Sequence, residues 1–128
     1  MPLPELETMH RMKTGALIRG AVLLGAACGR PLAPMEEAAL DRYARAAGLA
    51  FQIVDDLLDV EGNAAELGKT PGKDAVAGKA TFVSILGTER ARAQAGMLAR
   101  QAAQHLEPFG AAADLLRQAT DFVVARRV

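Results

Sequence analysis

Residues 51–81 hold the side chains of this chain that are best suited to chemistry, because closely spaced aspartates precede a glycine-rich segment with lysines. On a helix, where each residue turns by about 100°, Gln52, Asp55, Asp56 and Asp59 fall within an arc of roughly 100°. Magnesium is typically held by one or two carboxylates together with waters and phosphate oxygens. The spacing therefore indicates either a metal-binding stripe or an ordinary solvated helix face, and the residue pattern alone favours neither.

The lysines that follow the aspartates lie in Gly-Lys pairs at 68–69, 72–73 and 78–79, in a segment broken by Pro71. Lysine binds phosphate as a compact charge that demands no single geometry. If the loop bends back over the aspartates, Lys69 and Lys79 would lie near a diphosphate that a metal ion also contacts. The alternative is a surface loop whose lysines serve solubility.

Gly68-Lys69-Thr70 looks like the end of a nucleotide-binding P-loop, but the surrounding residues do not fit that motif. A P-loop has four residues between its two glycines and lies between a strand and a helix. Gly62 and Gly68 are separated by five residues, and the residues before them have a helical pattern. We therefore reject nucleotide binding at this segment.

Two segments together resemble a known family. AFQIVDDLLDV followed by LGKTPGKDAVAGKAT resembles the second aspartate-rich motif and the lysine loop of polyprenyl diphosphate synthases. HRMKTGALIRGAV, residues 10–22, resembles the lysine-threonine-glycine helix that precedes this motif in the family. The order and approximate spacing agree, and the likeness is strongest for bacterial enzymes of the farnesyl diphosphate synthase kind. Val83 departs from the pattern, since many members carry proline there.

The resemblance implies an all-α fold, the C-terminal half of an isoprenoid-synthase-type helical bundle, and a prenyltransferase activity with Mg²⁺ as cofactor. In this family an allylic diphosphate, dimethylallyl or geranyl, loses its diphosphate. The double bond of isopentenyl diphosphate then attacks the carbocation, and the product is farnesyl diphosphate. For the full-length parent enzyme the resemblance also implies a homodimer.

Individual roles follow from the resemblance, residue by residue. Asp55 would hold magnesium directly, and Asp56 and Asp59 would do so directly or through water. Lys13 and Lys69 would bind the allylic diphosphate, and Lys79 would support the loop. The catalytic assignments are Lys13, Gln52 beside the reacting carbon, and Thr14 near the diphosphate, where it could take part in proton loss. We expect the aspartates to face one cavity together with Lys13.

Family members also carry a first aspartate-rich motif on an earlier helix, and the 128 residues contain none. We therefore expect residues 1–128 to be the C-terminal part of a polyprenyl synthase domain without its N-terminal half. Since the first motif supplies the other metal ligands, this part alone should be inactive. A second hypothesis is a non-catalytic helical interaction module or an inactive truncated product.

Composition and charge set limits on the function. The chain is 51% hydrophobic and poor in strand-favouring residues, which favours helices. Fifteen acidic and fifteen basic residues give no net charge and no electrostatic footprint for nucleic acid. The single cysteine, Cys28, fits a cytoplasmic protein without an internal disulfide. The longest apolar run, residues 21–28, is far short of the roughly 18 residues that a membrane span needs.

Breaks at glycine and proline predict five helices, over about residues 4–28, 35–61, 79–86, 88–106 and 111–127. Thr88 is a candidate N-cap for the fourth helix. The methionines Met9, Met12 and Met35 are most simply core residues. Leu115, Phe122 and Val123 lie at helical spacing in the last helix.

Overall fold

The computed structural model describes residues 3–67 and 82–127, and within these ranges it is helical without a β-strand. The helices are α1 (Leu3–Ala27), α2 (Pro34–Leu67), α3 (Phe82–Leu86), α4 (Thr88–His105) and α5 (Asp114–Ala125), with a 3-10 helix over Glu107–Ala113 before α5. The predicted all-α class is therefore confirmed. The lysine loop, with Lys69 and Lys79, lies outside the described residues.

Helix α2 forms the centre of the fold. Ile53, Val54 and Leu57 are buried on it and belong to one apolar cluster with α4. The facing positions of α4 are small, since Ala91 and Ala95 are fully buried there. Because the distance between two helices depends on the side chains at their contact, these alanines let α4 lie close along α2.

A second apolar cluster joins α2 to the end of α4 and to α5. Tyr43 on α2 donates its hydroxyl to the backbone oxygen of Leu116 over 2.9 Å, and the same hydroxyl lies 2.9 Å from Thr120 Oγ1. Both Tyr43 and Thr120 are buried. Buried hydroxyls need partners of this kind, so the contact fixes α5 against α2.

Helix α1 packs against α2 alone among the described elements. Two ion pairs join the helices, Arg11 with Asp56 and Arg19 with Asp41. Apolar side chains are exposed elsewhere on α1, with Leu17 exposed by 68%. The prediction that Met9, Met12 and Met35 are core residues is wrong, since all three are exposed and Met35 is exposed by 75%.

The end of α2 and both ends of α5 differ from the predicted boundaries, and the N-cap of α4 is not the predicted residue. Helix α2 continues to Leu67, six residues beyond the predicted end at Glu61. Gly62 costs a helix only about 1 kcal/mol, and the alanine, glutamate and leucine residues after it favour helix. Helix α4 begins at Thr88 with Gly87 as its N-cap, at a positive φ of 84° that suits glycine, so Thr88 is not the cap.

The last helix is shorter than predicted, because the 3-10 helix continues past Gly110 to Ala113 and α5 begins only at Asp114. It ends at Ala125, so Arg126 lies outside the helix. Leu115 and Phe122 are exposed, which means that their helical spacing does not mark a buried face of this chain.

Candidate metal and diphosphate site

All three predicted metal-binding aspartates lie on α2, in two successive turns of the helix. They differ in environment. Asp55 and Asp59 are exposed, whereas Asp56 is buried. Adjacent residues of a helix are turned by about 100° from each other, so Asp56 faces Arg11 of α1 whereas Asp55 is turned away from it.

Asp56 is bound by Arg11 of α1. The guanidinium nitrogen Nη2 of Arg11 lies 2.7 Å from each of the two carboxylate oxygens of Asp56. The backbone oxygen of Arg11 also accepts a hydrogen bond of 2.9 Å from Nε2 of Gln52. Gln52 and Asp56 are one turn apart on α2, so both contacts fix the same point of α1 against the same face of α2.

Burial raises the pKa of the Asp56 carboxyl above its ordinary value, because removal from water disfavours the charged form. The hydrogen bond and charge of Arg11 oppose this rise, and the charges of Asp55 and Asp59 add to it. Without a cation beside it, Asp56 would be still harder to ionise.

Asp55 lies near the C-terminal end of the described chain. Nη2 of Arg126 is 3.7 Å from Asp55 Oδ1 and donates to the backbone oxygen of Phe51 over 3.3 Å. The Asp55 side chain keeps 57% of its surface exposed. This long contact leaves Asp55 open to a further ligand.

Lys13 and Thr14 lie on α1, as the motif predicts, with Lys13 exposed and Thr14 half-buried. An open groove of about 580 Å³ between α1 and α2 is lined by Arg11, Gln52 and Gly15, among others. Neither Lys13 nor the aspartates line it. The structure thus brings Gln52 and Asp56 together through Arg11 and leaves Lys13 outside this groove.

The carboxylates of this region can hold magnesium only if a bound ligand, such as a diphosphate, supplies further oxygen atoms to the metal. In residues 3–67 and 82–127 no three histidine, cysteine, aspartate or glutamate residues are grouped so that they could hold a metal ion. Asp55 and Asp59 nevertheless offer two accessible carboxylates one turn apart. Magnesium typically takes one or two carboxylates and completes its shell with waters and phosphate oxygens, so the pair fits a magnesium–diphosphate complex.

Two basic residues of this region, Arg11 and Arg126, were not predicted from the sequence. A signal for Arg11 existed, because a carboxylate on a mostly buried helix needs a cation. Arg11 and Lys13 are about 200° apart around α1, so one of them can face α2 while the other does not. Arg11 lies on the side of α1 that also carries Thr14, Gly15 and Ile18, and a cation for Asp56 could have been predicted on that side.

The chain belongs to the polyprenyl synthetase family, since the family model named Polyprenyl synthetase matches residues 2–118. It is 44% identical over 133 aligned positions to the farnesyl diphosphate synthase of Escherichia coli K12, covering 98% of this chain and 43% of that protein. It is also 44% identical over 126 positions to the dimethylallyltranstransferase of Fischerella ambigua, covering 97% of this chain and 36% of that protein.

The fold is similar to that of the crystal structure of an FPP/GFPP synthase from Zymomonas mobilis, with a TM-score of 0.72 and 41% identity. That match covers 96% of this chain and 39% of the other, and it confirms the predicted isoprenoid-synthase-type fold. The chain spans less than half the length of these relatives. No helix in the described part of the chain is long and apolar enough to cross a membrane.

Proposed function

We propose that the chain is the C-terminal part of a prenyltransferase that condenses an allylic diphosphate with isopentenyl diphosphate to farnesyl diphosphate. The observation that carries the proposal is the pair of exposed carboxylates, Asp55 and Asp59, beside the buried Asp56 on α2. The proposal is supported by membership of the polyprenyl synthetase family and by relatives that are named farnesyl diphosphate synthase and dimethylallyltranstransferase.

Asp55 would hold Mg²⁺ directly, and Asp56 and Asp59 would hold it directly or through water. When bound, the metal supplies Lewis-acid stabilisation of the negative charge that develops on the leaving diphosphate. Lys13 and Lys69 would bind the same diphosphate as point charges, and Lys79 would support the loop. Thr14 would lie near the diphosphate.

Gln52 would face the reacting carbon. Its amide donates to the backbone oxygen of Arg11, and this bond sets the orientation of the side chain. The amide oxygen Oε1 carries partial negative charge and is the atom suited to a developing carbocation. Gln52 is half-buried on the wall of the groove between α1 and α2.

Titration calorimetry with inorganic pyrophosphate, with and without Mg²⁺, tests the metal assignment. Binding to the full chain should depend on Mg²⁺, and Asp55→Ala should remove this dependence because Asp55 supplies a direct ligand. Asp121→Ala, which removes an exposed aspartate from α5, is the matched control and should behave as the wild type. Equal heats for the wild type and Asp55→Ala would contradict the assigned role.

A radiolabelled condensation assay with geranyl and isopentenyl diphosphates tests the activity. The chain alone should be nearly silent, since the metal ligands expected from a first aspartate-rich motif are not in its sequence. Each loss of about 1.4 kcal/mol of transition-state stabilisation lowers the rate tenfold. Robust turnover by the purified chain would show that it carries the chemistry without that motif.

The second candidate function is a non-catalytic helical interaction module that binds a second copy of the chain. The exposed apolar side chains of α1, Leu17 and Leu24, favour it, because such surfaces tend to associate. Sedimentation equilibrium should then show dimers that Leu17→Glu with Leu24→Glu disrupts. A monomer at all concentrations would contradict this candidate.

A further inference from the structure

Arg19 of α1 and Arg45 of α2 share a single carboxylate, that of Asp41. Nε of Arg19 donates to Oδ1 of Asp41, and Nε of Arg45 donates to Oδ2 over 2.9 Å. The hydrogen bond from Arg19 lowers the pKa of the Asp41 carboxyl, burial opposes this effect and the bond from Arg45 adds to it, so the carboxylate stays charged near neutral pH. Two positive charges therefore face one negative charge, whereas the pair of Arg11 and Asp56 is balanced.

The two guanidiniums keep their terminal nitrogens available. Each binds Asp41 through Nε, and among the described residues neither Arg19 nor Arg45 donates a hydrogen bond from Nη1 or Nη2. A guanidinium presents its N–H donors in a fixed planar fork, so two forks that bind one carboxylate are held near each other. The Arg19 and Arg45 side chains are 46% and 64% exposed, which leaves them within reach of a ligand from solvent.

This arginine pair lines the groove between α1 and α2, whose volume is about 580 Å³. The groove has no acidic residue among those that line it, and apolar side chains such as Met12, Ala16 and Leu49 form much of its wall. Clefts of this size with an apolar lining and a few polar groups are typical of small-molecule sites. The groove thus offers an apolar surface to a ligand whose charged end lies at the arginine pair.

A phosphate monoester suits the arginine pair better than a carboxylate does. Its phosphate carries nearly two negative charges and three acceptor oxygens, which two guanidinium forks can share. A carboxylate has only two oxygens, and a single fork already satisfies both. Asp41 lies about four turns, or about 21 Å, before Asp55 on α2, so a phosphate at the arginine pair does not overlap the candidate metal site.

We propose that Arg19, Arg45 and the groove beside them bind a free single-chain phosphate monoester, with the phosphate on the arginine pair and the apolar chain along the groove. Asp41 is then the positioning residue that holds the two guanidiniums in place. The phosphate position uses neither a metal ion nor the aspartates of the candidate metal site, so the inference goes beyond the proposed function. A diacyl membrane lipid is a poorer fit, because its two chains would have to share one groove.

Titration calorimetry on the full chain, without Mg²⁺ and at low ionic strength, tests the site with hexyl phosphate and inorganic phosphate as probes. Hexyl phosphate should bind at least about tenfold more tightly, because its chain leaves water. Arg45→Met should weaken hexyl phosphate binding by about tenfold through the loss of one fork. Arg42→Met is the matched control, since Arg42 is an exposed arginine of α2 outside the groove, and its Kd should stay within about twofold of the wild type.

Two further variants separate a built site from general attraction by charge. Asp41→Ala makes the groove more positive but releases both arginines, so the site predicts weaker binding of both probes, whereas attraction by charge alone predicts tighter binding. Ala16→Leu places a larger side chain at an exposed position of the groove wall. It should bring the Kd of hexyl phosphate close to that of inorganic phosphate and leave the Kd of inorganic phosphate unchanged.

Circular dichroism melts accompany every variant, and if Asp41→Ala does not fold, Asp41→Asn replaces it, with weaker binding again expected. A folded wild type that binds no hexyl phosphate, or equal losses in Arg45→Met and Arg42→Met, would overturn the inference. Tighter binding by the Asp41 variant would also overturn it, as would hexanoate that binds as tightly as hexyl phosphate. Sedimentation with phosphatidic acid vesicles, without binding of hexyl phosphate, would assign the arginine pair to a membrane headgroup and contradict the free ester.

Discussion

The guanidinium of Arg126 lies 4.4 Å from the centroid of the Phe51 ring, so the residue that follows α5 rests on the helix that carries the aspartates. The same guanidinium donates to the backbone oxygen of Phe51 and approaches Asp55. Its Nε is buried without a hydrogen-bond partner among the described residues. Arg126 thus exchanges part of its hydration for contact with an aromatic ring and a carbonyl.

Arg126→Met should lower the free energy of unfolding by about 1–2 kcal/mol, since a cation–π contact and one hydrogen bond are lost. The reduction is limited because methionine keeps part of the apolar contact and because the unpaired Nε no longer has to be buried. Urea unfolding followed by circular dichroism measures it. Arg127→Met, at the exposed neighbouring position, should change the midpoint little, and a similar loss in both variants would contradict a specific role for Arg126.

Tyr43→Phe should destabilise the chain by about 1 kcal/mol, the usual value of a hydrogen bond lost in a buried setting. The hydroxyl bridges Leu116 and Thr120 of α5, so its loss should loosen α5 first. Thr120→Val is the companion variant, because it leaves the bond from Tyr43 to Leu116 intact. Hydrogen exchange at the α5 amides, faster in Tyr43→Phe than in the wild type, is the measurement, and unchanged protection would contradict the bridging role.

Leu57→Ala and Leu17→Ala form a pair that tests the fold directly. Leu57 has no exposed surface, so truncation should cost about 2–5 kcal/mol through lost burial and a residual cavity. Leu17 is 68% exposed, and the same change there should remain within about 0.5 kcal/mol. Urea unfolding measures the free energy of unfolding of both variants. Equal losses at the two positions would mean that Leu17 of α1 is buried in solution, in contradiction to the structure.

Local sequence signals predicted the helices well and their ends less well. The sequence predicted the start of α2 beside Pro34 and the break at Gly87. Proline fixes its own φ and glycine tolerates a positive φ, so both residues mark helix ends without help from distant contacts. The end of α2 was not predicted, since a single glycine at position 62 is too weak to stop a helix whose other residues favour it.

The candidate site was predictable to a similar degree. Helical spacing placed Asp55, Asp56 and Asp59 on one helix, as the structure shows. Spacing did not separate the exposed Asp55 from the buried Asp56, because that difference depends on α1 lying on one side of α2. The partner of Asp56 is 45 residues away in the chain, and no local pattern identifies such a contact.

Glu36, in the first turn of α2, gives a prediction for the pH dependence of stability. Its carboxylate accepts hydrogen bonds from Arg30 and from the backbone nitrogen of Ala33. The hydrogen bond from Arg30, followed by that from Ala33, lowers the pKa of Glu36 from 4.5 to about 2, and the charge of Arg30 adds to the effect while burial opposes it.

Because the folded-state pKa of Glu36 is depressed, its contribution to stability should be fully present above pH 4.5 and should be lost as the pH falls toward about 2. Glu36→Gln removes the charge at every pH, so the wild type should be the more stable chain near neutral pH, and the two should converge at the acid end of this range. Urea midpoints measured across the range give the difference. Glu37→Gln removes the neighbouring exposed carboxylate and should produce no such convergence. If the gap between the wild type and Glu36→Gln persists unchanged down to about pH 2, the ion pair with Arg30 is not what stabilises the start of α2.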